Sequence, residues 1–182
     1  MDMVVSRMVL AGALAALALA IHPTPAVAQA VPAALAETEA PRGPSTGLPL
    51  PRFVSLGTSE GRARRGPNRG HRVDWLFTRR DMPLRVTAEF EHWRRVEDAE
   101  GQGGWMHYSL LSGVRTALVT EDMTVMRRQP REASVEVALL ERGVIARILA
   151  CEDEWCRLRV DRWRGWVPRA ALWGVEAHER LN

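Results

Sequence analysis

A short pattern occurs twice in this chain at a nearly constant interval. The first copy runs Trp93-Arg94-Arg95-Val96, a polar gap, Gly104-Trp105, then Leu111-Ser112-Gly113. The second runs Trp155-Cys156-Arg157-Leu158, a polar gap, Gly165-Trp166, then Leu172-Trp173-Gly174. Trp93 precedes Trp155 by 62 residues, while Trp105 and Gly113 each precede their counterparts by 61. A self-match at a fixed interval marks one folding unit used twice. Units of about 60 residues bury only about 60% of their unfolded surface. Each therefore needs a partner module or a covalent staple.

Within each copy the apolar residues follow the period of a half-buried strand. Leu84, Val86, Ala88 and Phe90 alternate with Arg85, Thr87 and Glu89, and Val135, Val137 and Leu139 do the same in the second copy. Turn signals separate these runs at Gly66-Pro67-Asn68, Glu91-His92 and Gly101-Gln102-Gly103-Gly104. Phe53 to Leu56, Val73 to Phe77, Trp93 to Asp98 and Trp105 to His107 read as strands, with a single 3₁₀ turn from Tyr108 to Leu111. No stretch is long and periodic enough for a helix. The expected fold is all-β: two tandem small barrels, residues 52–114 and 115–176, then a short tail over 177–182.

The apolar run Met8 to Ile21 is 14 residues long, short of the ~20 that span a bilayer. Ala26-Val27-Ala28 or Ala28-Gln29-Ala30 follows it as a small-x-small cleavage site. Residues 1–28 read as a cleaved secretory signal, ending near Ala28 or Ala30. The expected location is periplasmic or secreted, with no stable membrane insertion after cleavage. The rival reading is an uncleaved anchor. Residues 29–51 carry prolines 32, 41, 44, 49 and 51 and read as a disordered linker. Cys151 and Cys156 flank the predicted hairpin loop Glu152-Asp153-Glu154-Trp155. Facing positions on paired strands lie within disulfide reach, and an oxidising compartment favours a bond between them.

All 25 basic side chains are Arg, against 22 carboxylates, for a net charge of +3. Both signs interleave, so nucleic acid is excluded as an expected partner. The paired arginines, such as Arg64-Arg65 and Arg94-Arg95, read as exposed faces matched by nearby carboxylates, with anionic wall polymers as the rival partner. The histidines at 22, 71, 92, 107 and 178 show no metal-ligand spacing and flank no nucleophile elbow. Neither a metal, a cofactor nor catalysis is expected. Trp105 and Trp166 are expected to close each barrel from its core, and Trp163 and Trp173 to pack the modules together.

Arg64-Arg65-Gly66-Pro67, then Trp93, Gly104-Trp105 and Leu111-x-Gly113, resembles the bacterial SH3-like family, whose members carry an N-V-R-x-G-P start and a G-W-x-x-x-x-L close. The resemblance covers residues 53 to 175, and the tandem form is similar to exported proteobacterial proteins. Arg62, Ala63 and Gln129 depart from the start motif. The resemblance implies β-barrels, an envelope setting and, in some relatives, recognition of a peptide or of the cell wall. SH3-type grooves use an aromatic at a hairpin tip, so Trp75, Trp93 and Tyr108 are candidates to line a groove for an extended peptide. The functional expectation is a non-catalytic binding protein for a peptide or cell-wall peptide. Its alternatives are a docking partner of another envelope protein and a small wall-active enzyme.

Overall fold

The computed structural model describes residues 40–177 and 179–182, so the expected signal peptide, the first part of the linker and His178 lie outside the described residues. Fourteen strands follow in order: β1 (Arg52–Leu56), β2 (Gly61–Arg64), β3 (Val73–Phe77), β4 (Pro83–Phe90), β5 (Trp93–Glu97), β6 (Gly103–His107), β7 (Leu111–Ser112), β8 (Thr116–Val119), β9 (Thr124–Arg127), β10 (Glu136–Leu140), β11 (Ile145–Glu152), β12 (Trp155–Val160), β13 (Trp163–Pro168) and β14 (Leu172–Trp173). They form two antiparallel sheets, ordered β3-β2-β6-β5-β4-β1-β7 and β10-β9-β13-β12-β11-β8-β14. Advancing each label of the first by seven reproduces the second, so the duplication in sequence is a duplication in topology. Among the described residues the only helical pieces are two 3₁₀ turns, Tyr108–Leu110 and Arg169–Ala171.

Each sheet wraps its own core. The first holds Leu56, Ala63, Phe77, Leu84, Val86, Val96 and Met106; the second holds Val119, Met126, Leu140, Ala146, Ile148, Leu158 and Val167 at matching positions. Volume shifts between partners: Ala63 and Met106 in one become Met126 and Val167 in the other. A packed interior requires such compensation. Strands β4 and β11 each carry a register shift at the same place, between Val86 and Ala88 and between Ile148 and Ala150. A bulge there bends the long strand so that one end pairs with β1 or β8 and the other with β5 or β12.

The glycine of each Gly–Trp pair has a steric reason. A Cβ on Gly104 would stand 2.5 Å from the Arg64 carbonyl oxygen, and one on Gly165 would stand 2.7 Å from that of Arg127. Strands β6 and β13 thus cross β2 and β9 at a distance that only glycine permits. The neighbouring tryptophans differ from expectation. Trp105 and Trp166 alternate away from the core and are half-buried, and Met106 and Val167 take the inward places. Trp93 is instead nearly buried, at 9% exposure. Trp173 does join the modules, edge-on to Phe53 with centroids 5.0 Å apart, but Trp163 stays exposed beneath the Arg162 guanidinium.

The linker expectation fails over residues 40–51. Arg42 bridges to Pro49, Leu50 enters the first core, and the backbone N–H groups of Ser45 and Thr46 donate to Glu89. The proline content that suggested an extended chain here builds a tight turn whose donors find a buried acceptor. The tail is likewise held: Leu181 exchanges backbone hydrogen bonds with Cys151, and Glu179 pairs with Arg115. The expected disulfide is present between facing Cys151 and Cys156, whose Cα atoms lie 4.1 Å apart.

Candidate functional site

Strand alternation builds one side of the site. In β2, Gly61 and Ala63 point into the core, so Arg62 and Arg64 emerge together on the outer face. The loop after β2 brings Arg69 to the same side. Opposite them, Trp93 opens β5 directly across from His107, which ends β6. These residues, with Glu60, Ser109 and Leu110, line a groove of about 340 Å³. The nearly buried Trp93 ring meets the His107 imidazole edge-on at 5.5 Å.

His107 also caps the 3₁₀ turn. Its Nδ1 accepts the Ser109 N–H at 3.3 Å and lies 2.8 Å from Ser109 Oγ. Burial, then the positive charges of Arg69, His92 and Arg94, push its pKa below the usual imidazole value. In its neutral form a ring whose Nδ1 accepts from the Ser109 N–H holds its proton on Nε2. Arg64 Nη1 donates to the His71 carbonyl at 2.7 Å. The guanidinium groups of Arg62 and Arg69 form no hydrogen bond or ion pair with another side chain or carbonyl among the described residues.

The second module carries a groove at the corresponding place, of about 490 Å³, with Trp155 for Trp93, Pro168 for His107, Ala170 for Ser109 and Glu132 for Arg69. Its electrostatics are inverted. Arg127, the counterpart of Arg64, is paired with Glu132 at 3.3 Å and Glu136 at 3.6 Å, and Val125 stands where Arg62 stands. Asp153 and Glu154 add further acid. Arg169 also lines this groove, its guanidinium held by donating to the carbonyls of Asp153, Glu176 and Glu179.

The three candidate aromatics do not form one groove. Trp93 lines the arginine groove. Tyr108 stacks on the other side of His107, with centroids 4.8 Å apart, and faces a separate hollow with Ser45, Glu91, His92 and Arg94. Trp75 lies on edge strand β3 against Phe77 and lines neither. Strand order separates them, because β2 and β6 come between β3 and β5. The residues overlooked in sequence are Arg62, Arg69 and His107, while Arg64 was read only as one of an exposed arginine pair. The alternation Gly61-Arg62-Ala63-Arg64 was the available signal for Arg62. Nothing local pointed to Arg69.

No curated protein matches the sequence. Two solved structures from Trichomonas vaginalis, NlpC2 and NlpC1, are similar at 15% identity, with TM-scores of 0.31 and 0.32. The likeness covers 68% and 72% of this chain and 48% of each of theirs. The chain thus spans about half their length, and a likeness this distant carries no argument about activity. The family model described as "Bacterial SH3 domain" matches twice, at residues 58–113 and 120–174. Each match covers six of the seven strands of one sheet, leaving out β1 and β8. Together they cover more than half of the chain, which belongs to the bacterial SH3 domain family in tandem form.

Proposed function

We propose that the chain is an exported, non-catalytic envelope protein that binds a peptide, with the peptide part of the cell wall as its ligand, through the paired Trp93 and Trp155 grooves. The observation that carries this reading is the recurrence of a groove at matching positions in both modules. Most surface detail has diverged between the copies, yet each keeps a tryptophan facing a concave site beside a 3₁₀ turn. Bacterial SH3 domains are binding modules in general, and concave sites with an aromatic wall suit extended peptides.

Co-sedimentation of the purified protein with cell-wall sacculi tests it. Ser109→Trp should fill the first groove and Ala170→Trp the second. Each single variant should lower retention and the pair should abolish it. Unchanged retention by the folded double variant would overturn the groove reading. A soluble wild-type protein that co-purifies with one envelope protein would favour the docking role instead. That alternative draws on the exposed apolar residues of edge strand β3, Val73, Trp75 and Leu76.

A further inference from the structure

The two grooves differ in a way that assigns a ligand chemistry to the first. The first is lined by Arg62, Arg64 and Arg69, whose counterparts in the second module are Val125, Arg127 and Glu132, and of these only Glu132 lines the second groove. In the second module Glu132 neutralises Arg127. In the first, the residue at that place is itself an arginine. Two guanidinium groups, those of Arg62 and Arg69, consequently face the first groove with no counter-charge bonded to them among the described residues. Glu60 is the single carboxylate of the lining and forms no ion pair there.

We propose that the first groove, resting on its reading as a peptide site, takes an acidic peptide segment, with a side-chain carboxylate held by Arg62 and Arg69 and the adjoining residue laid against Trp93. Guanidinium groups match a carboxylate through paired N–H donors, and the His107 ring stands at the same wall. Trp93 and Leu110 give the groove an apolar half, which a free anion would leave unused and a peptide covers. The Glu60 carboxylate disfavours a doubly charged phosphate more than a singly charged carboxylate. Charge and apolar surface together select the acidic peptide over a phosphate polymer.

Titration of the full chain with two synthetic hexapeptides, identical except for Glu or Gln at one position, tests this by NMR at the Trp93 indole and Ser109 amide signals. The Glu peptide should bind about five- to tenfold more tightly, the discrimination of one partly exposed charge-assisted contact. The difference should vanish in the Arg62→Gln, Arg69→Gln double variant and persist in Glu132→Gln. Equal binding of both peptides at the Trp93 signals would overturn the charge assignment and leave the groove reading standing. Binding that leaves those signals unmoved would overturn both. Displacement of the Glu peptide by equimolar inorganic phosphate would show a simple anion site and overturn the peptide assignment.

Discussion

Glu89 and Arg94 face each other across β4 and β5, and Cys151 and Cys156 face each other across β11 and β12 at the corresponding positions. One module thus spans with charge the gap that the other spans with a disulfide. Glu89 is buried and accepts from Thr46 Oγ1, from the Ser45 and Thr46 amides, and from Arg52 at 2.6 Å, while Arg94 lies 3.4 Å away. Burial by itself raises the carboxyl pKa, but the bonds from Thr46, Arg52 and Ser45 outweigh it, and the pKa falls below the ordinary 4.5. A carboxyl with a depressed folded-state pKa stabilises fully above the unfolded value, and the contribution is lost as pH falls through the folded one. Glu89→Gln should cost about 2 kcal/mol at pH 7, because it leaves two arginines facing a neutral group. Urea denaturation should show that gap at pH 7 and little of it at pH 3; an equal gap at both would contradict the role.

Strands β4 and β11 also anchor segments that flank the two sheets. Backbone segments 42–48 and 179–181 dock at the Glu89 and Cys151 ends of these strands, so each barrel receives one flanking segment at the same place. The closing strands depend on a different constraint. Because β13 passes the Arg127 carbonyl so closely, Gly165→Ala must push the two strands apart or displace Met126, whose side chain lies 2.5 Å from the added Cβ. A loss of about 1–3 kcal/mol is expected, as for other overpacked core sites. Thermal melting of this variant should show it, and wild-type stability would mean that the crossing relaxes freely. The expected loosening of β13 would also disturb the second groove, since Pro168 ends that strand.

Contacts between the barrels are few but specific. Phe53 packs on Trp173, Thr116 Oγ1 donates to the Asp81 carbonyl at 2.7 Å, and Arg79 reaches the Gly143 carbonyl at 2.7 Å. Modules this small gain stability by burying surface against each other. Trp173→Ala removes the largest apolar part of that junction and should cost about 2–3 kcal/mol. Calorimetry should then resolve two transitions in place of one, and reduction of the Cys151–Cys156 bond should move only the second-module transition. A single transition in the variant would mean that the polar contacts alone couple the barrels. Under the proposed function, coupled barrels would offer both grooves to a ligand together, so that avidity adds to the affinity of each.

Most strands, the duplication and the disulfide were legible in the chain itself, the strands and the disulfide because period-two alternation, turn residues and hairpin spacing act over fewer than ten residues. The four-residue β2, read as leading into a turn, was not legible. Val73 to Phe77, Tyr108 and the Cys151–Cys156 pair lie where local rules put them. The outward turn of Trp105 was not legible, since it depends on which side of β6 meets β2. Likewise the separation of Trp75, Trp93 and Tyr108 follows from strand order, which pairs β2 with β6 across 40 residues of chain. Docking of residues 40–51 needed the buried Glu89 acceptor, which no local pattern announces. The groove's charge arises only when a loop residue, Arg69, is brought to a strand face carrying Arg62 and Arg64. Local composition selects the elements, while closure of the sheet decides which side chains share a surface, because that surface joins residues that approach only after long-range pairing.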